Sequence, residues 1–157
     1  MLAHTDTIPR TELFPYRRSL GHSQMVSRYN LHMPEVTNTC REPLSRALTQ
    51  HERDLIRWLI DHSFVKDASG LLPQIDRLSV IAKCNCGCPT IDFALDGEPV
   101  ARKRDSFISD WLAEVNGMPV YVQLWVSNDK ISSLEVGSLP GTDQPFGLPA
   151  VESILGH

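Results

Sequence analysis

At Ser79 the spacing of apolar residues changes from that of a helix to that of a strand, and this switch restricts the fold more than any other feature of the chain. Before it, Leu48, Leu55, Ile56, Trp58, Leu59 and Ile60 fall within roughly 200° of a helical wheel, with Arg53, Asp54, Arg57 and Asp61 on the remainder. Thr49 and Glu52 have the spacing of a capping box, hydroxyl to backbone amide and carboxylate back to the cap, which predicts a helix from about 50 to 62. A second, shorter helix is predicted from Leu71 to Leu78, with Pro73 in its first turn, where amides lack helical partners anyway.

After Ser79 the period is two. Val80, Ala82, Cys84 and Cys86 share one face of a predicted strand, and Ile91, Phe93 and Leu95 share one face of the next. The parity flips between these sets, so the chain must bend at Cys86-Gly87-Cys88-Pro89. Asn116-Gly117 separates two apolar runs, Trp111 to Val115 and Met118 to Val126, and both residues tolerate the positive φ of a tight hairpin turn. Ser127 to Lys130 turns the chain once more into Ile131 to Val136. The predicted fold class is therefore α+β, two N-terminal helices packed on a mostly antiparallel sheet of about five strands. Residues 1–43 lack any periodic pattern and carry Pro9, Pro15, Pro34 and Pro43, which predicts a flexible or partly docked N-terminal arm ahead of a single α+β domain over 44–157.

Charge narrows the partners. Residues 1–46 carry six Arg and four acids, net +2, and residues 47–157 carry nine basic and fifteen acidic groups, net −6. A mildly acidic body disfavours nucleic acid, whose phosphates are held by Lys and Arg, and Arg102-Lys103-Arg104 reads as a solvated loop triplet. No apolar run approaches the roughly 18 residues of a spanning helix, which predicts no membrane partner. Met1 to Asp6 lacks the basic start and apolar stretch of a secretory signal, so the expected location is cytoplasmic and reducing. There, Cys40, Cys84, Cys86 and Cys88 are expected as thiols or metal ligands rather than disulfides.

The unusual motif is Cys84-Asn85-Cys86-Gly87-Cys88-Pro89. Three cysteines at alternate positions of a straight strand point one way with Cα atoms roughly 6 to 7 Å apart, and a bend at Gly87 brings the sulfurs closer. Converging thiolates suit zinc or copper(I). Equally, buried cysteines pack as small hydrophobes, a reading that needs no cofactor, and reversible thiol chemistry is a third possibility. A fourth ligand is available from the helix in His62, which projects toward the core edge, although a histidine there also suits a hydrogen bond at the helix C-terminus. Cys40 and Asp92 are alternatives. Catalytic signatures are near misses: His51-Glu52 has Leu55 where a zinc-protease helix needs its second histidine, and Gly21-His22-Ser23-Gln24-Met25 lacks the last glycine of a nucleophile elbow. Asp92, Asp96 and Glu98 read as solvent-side residues of a strand and its turn.

From about Leu44 to Pro149 the layout resembles a group of small, functionally uncharacterised bacterial α+β proteins. The resemblance is carried by Leu48-Thr49-Gln50-His51-Glu52 at the helix start, Cys84-Asn85-Cys86-Gly87-Cys88-Pro89-Thr90-Ile91-Asp92, the Asn-Gly hairpin and Leu134-Glu135-Val136. It implies the fold boundary and no catalytic residues. The expected function is that of a non-catalytic binding or accessory module, with a protein partner at one sheet face. The alternative is a metal-binding (zinc or copper) or thiol-redox protein centred on Cys84, Cys86 and Cys88.

Overall fold

A computed structural model of the chain describes residues 40–101, 107–142 and 144–156. The elements run β1 (Arg41–Ala47), α1 (Gln50–Asp61), a 3-10 helix (Ala68–Arg77), β2 (Leu78–Cys84), β3 (Ile91–Leu95), β4 (Glu98–Pro99), β5 (Phe107–Val115), β6 (Met118–Ser127), β7 (Lys130–Ser138) and a 3-10 turn (Val151–Ser153). The arm over 1–39, the elbow-like Gly21 to Met25 and the basic triplet Arg102 to Arg104 lie outside the described residues.

Helix α1 begins as its sequence dictates. Thr49 Oγ1 accepts from the Glu52 amide at 3.2 Å, and Glu52 Oε2 accepts from the Thr49 amide at 2.8 Å. The Glu52 carboxylate also receives the Arg46 guanidinium through two hydrogen bonds of 2.6 and 2.8 Å. Burial opposes the charge of Glu52, but the Arg46 hydrogen bond, the Thr49 amide and the Arg46 charge together outweigh it and hold the carboxyl below its ordinary range. The apolar face, Leu55, Ile56, Leu59 and Ile60, is buried in one core with Val80, Phe93, Val120, Val122, Leu124, Ile131, Leu134 and Val136 from the sheet.

The fold class is mixed helix and antiparallel sheet, as the change of period predicts, but its inventory differs. The described residues form a seven-stranded sheet in the order β1-β2-β3-β7-β6-β5, with β4 paired to β3. A strand, β1, precedes the helix and takes in Arg41 to Pro43. Its Pro43 is compatible with a strand because β1 is at the sheet edge, and the β1–β2 register shifts between Pro43 and Arg46. The second helix is a 3-10 helix with Pro73 inside it, since a proline removes an amide donor and tightens the preceding turn. The hairpins form where expected: Asn116 and Gly117 take φ of 51° and 80° between β5 and β6, and Asn128 and Asp129 take 49° and 59° between β6 and β7. Asp96 and Gly97 make a further such turn, at 53° and 85°, into the short β4.

Strand β2 ends at Cys84, so Cys86 and Cys88 stand in a turn rather than continuing the strand. The register between β2 and β3 shifts between Val80 and Ala82, so Val80 stands beside Phe93 but Ala82 beside Asp92, and Val80 does not share one face with Ala82 and Cys84 as the alternation predicts. Gly87 takes φ of 93°, and a Cβ there would lie 3.1 Å from Pro145 Cα. The Phe146 amide donates to the Gly87 carbonyl at 3.3 Å, so the segment after β7 is laid directly on the cysteine turn.

Candidate functional site

Two neighbouring strands and a tight turn bring three sulfurs together. The Cys84, Cys86 and Cys88 Sγ atoms all lie within 4.8 Å of one another, and Cys84 and Cys86 Sγ are 2.9 Å apart. Cys84 is half-buried at the end of β2, Cys86 is exposed at the turn, and Cys88 is half-buried with its thiol donating to Thr90 Oγ1 at 3.3 Å. Thr90 is itself buried, and its hydroxyl accepts from the Val136 amide at 3.0 Å and donates to the Val136 carbonyl at 3.1 Å. The far end of the cysteine turn is thereby fastened to β7, where a side chain substitutes for ladder hydrogen bonds.

The sulfurs open onto a cleft of about 380 Å³ whose lining includes Cys40, Arg41, Tyr121, Glu135, Ser138 and Phe146. Tyr121 on β6 lies opposite Gly137 on β7, and its ring occupies the space a side chain at 137 would need: a Cβ there would be 2.3 Å from Tyr121 Cζ. Gly137 therefore permits the ring to lie across the sheet, and the Tyr121 hydroxyl donates to Glu135 Oε1 at 3.1 Å. Arg41, which lines the cleft, pairs with Asp92 at 2.9 Å across β2.

Charge within the cluster is unevenly shared. Burial is the largest influence on the Cys84 thiol and, with the Cys86 hydrogen bond and the neighbouring Cys88, pushes it up to about 12. Cys86 moves the other way, because the Cys84 thiol, the Cys88 amide and the Cys88 thiol stabilise its anion more than burial opposes it. The first negative charge of the cluster thus sits on the exposed Cys86, with Cys84 holding its proton against it.

Of the ligands read from the sequence, the fold brings together Cys84, Cys86 and Cys88. His62 lies elsewhere, at the end of α1. Its ring stacks on Trp58 with centroids 3.9 Å apart, and its Nδ1–H donates to the Trp58 carbonyl at 2.9 Å, the helix-end role that its position also suits. Asp92 is engaged by Arg41. Cys40 lines the same cleft, and its carbonyl accepts from the Asn85 amide at 2.8 Å, which fixes its backbone beside the turn. The sequence pattern marks none of Thr90, Tyr121, Glu135 and Gly137 as a site residue, although Thr90 and Glu135 lie in the segments that carry the resemblance. The available signal was a glycine interrupting an otherwise alternating strand, which marks a close approach.

Comparison with protein-family models, with curated proteins and with solved structures finds no match to this chain. The residues of the cleft therefore carry the functional argument.

Proposed function

We propose that the cysteine cleft binds a thiophilic metal ion, zinc(II) or copper(I), through Cys84, Cys86 and Cys88. The observation that carries this reading is the approach of all three sulfurs to within 4.8 Å of one another. A metal–sulfur bond of about 2.3 Å allows two sulfurs on one ion to be at most about 4.6 Å apart, and about 3.8 Å in a tetrahedron, so the cluster is within a small adjustment of a shared ion. Cysteines that served only as core packing would be turned inward, whereas Cys86 is exposed. A fourth position faces the cleft, where Cys40 or a solvent molecule would complete a tetrahedral ion, while copper(I) is served by the three thiolates alone.

Binding requires thiolates, and burial holds the proton on Cys84, so uptake of the ion releases protons and weakens as the pH falls. Metal analysis of the purified, reduced protein tests the reading. The expected result is about one zinc or copper per chain, lost in the triple variant Cys84→Ser, Cys86→Ser, Cys88→Ser. A metal-free wild type that takes up neither ion and shows no change of melting with a strong chelator overturns it.

A second reading, the protein-interaction module, is favoured by Phe64, which is 64% exposed and stands edge-to-face on the exposed Phe107 at 5.8 Å. It leaves the convergence of the sulfurs without a role, and the metal reading therefore comes first.

A further inference from the structure

We propose that Cys84 and Cys86 also form a dithiol–disulfide couple that exchanges with disulfide substrates entering the cleft, Cys86 attacking and Cys84 resolving. The inference stands on geometry and does not depend on the metal reading. A disulfide has an S–S length of about 2.05 Å, so the 2.9 Å between these two sulfurs leaves about 0.9 Å to close. Residues two apart in a straight strand sit near the upper limit of Cα separation for a bridge, roughly 6.5 Å. Here the strand ends at Cys84 and the chain turns at Asn85 and Cys86, so the two residues are not held in straight-strand geometry.

The three cysteines are not equivalent. Cys86 is exposed, so a substrate sulfur can approach it in line, whereas Cys84 is half-buried at the strand end. Cys88 is drawn toward the buried Thr90 by its hydrogen bond of 3.3 Å. The cleft of about 380 Å³ is large enough to admit a small disulfide.

The exchange balances as two displacements. The Cys86 thiolate forms a bond to one substrate sulfur as the substrate S–S bond breaks, and the departing half leaves as a thiolate that takes a proton from water. Cys84 then attacks the Cys86 sulfur. The mixed disulfide breaks, the second substrate half leaves with the proton given up by Cys84, and the chain is left with a Cys84–Cys86 disulfide. Two electrons have passed from the chain to the substrate, and an excess of a small thiol reverses both steps. The oxidised pair cannot ligate a metal ion, so exchange and metal binding exclude each other.

The test uses the full chain, reduced and treated with a chelator, with glutathione disulfide as the probe and mass spectrometry after alkylation as the readout. Wild type is expected to lose two thiols per chain, and Cys40→Ser and Cys88→Ser to do the same. Cys84→Ser should trap one glutathione per chain on Cys86, and Cys86→Ser should react at least tenfold more slowly, each variant being confirmed folded by its circular dichroism. A Cys86→Ser variant reacting at the wild-type rate, or a Cys88→Ser variant that no longer loses two thiols, overturns the proposal. Protein that binds zinc but does not exchange when metal-free defeats this inference and leaves the metal site standing. Protein that exchanges but binds no metal does the reverse.

Discussion

Gly87 is the residue on which the cysteine turn depends. Its φ of 93° lies in the region that residues with a side chain avoid, and the Cα of Pro145 stands 3.1 Å from where a Cβ would be. Either condition alone disfavours substitution, and a branched side chain meets both. Gly87→Val is expected to cost about 1 to 3 kcal/mol in a denaturant melt, with or without a chelator, because the strain belongs to the backbone rather than to an ion. A variant as stable as wild type would show that the turn relaxes freely. The neighbouring sulfurs would then not be held at their separation by the fold.

At the scale of the element, helix α1 is held at its start by a charge as well as by its cap. Glu52 is buried and receives both the Thr49 amide and the Arg46 guanidinium, so its carboxyl is held below its ordinary range. A carboxyl depressed in the folded state contributes stability that is present above its unfolded value of about 4.3 and is lost as the pH falls through the folded value. Glu52→Gln should therefore destabilise at pH 7, by about 1 to 3 kcal/mol as the Arg46 charge loses its partner, and the difference from wild type should shrink as the medium is acidified below about pH 4. Melts of the two proteins at both pH values check this, and a difference independent of pH would assign the effect to packing. The cap and the hairpins were legible in the sequence because each is written in adjacent residues: Thr49 with Glu52, Asn116 with Gly117. Strand β1 was not, since Arg41 to Ala47 shows no alternation and contains Pro43, and its extended state comes from pairing with β2, about forty residues on. The site divides the same way. The cysteine spacing is local and readable, whereas Tyr121 and Glu135 reach the cleft only through the register of β6 on β7, which no local pattern encodes.

Across the whole molecule the described residues belong to one compact unit. Two charge pairs tie β1 into that unit, Arg41 to Asp92 at 2.9 Å on β3 and Arg46 to Glu52 at 2.6 Å on α1. Two shortened chains separate the contribution of β1 from that of everything before it. A chain starting at Thr37 keeps β1 and both pairs, and should melt cooperatively within a few degrees of the full protein. One starting at Leu48 loses the β1 ladder, leaves β2 as a bare edge, and removes Arg46 from Glu52 and Arg41 from Asp92. For a unit of this size about 1 kcal/mol moves the midpoint by roughly 3 to 6 °C, so loss of the ladder and two pairs should lower it by more than about 10 °C. Calorimetric or circular-dichroism melts of the three chains decide the matter. A drop beyond about 10 °C already at the Thr37 start would show that residues 1–36 carry core stability and that the boundary lies further upstream. Equal melting of all three would mean that β1 is an addition to the sheet, with its ion pairs exchanged for water at no cost.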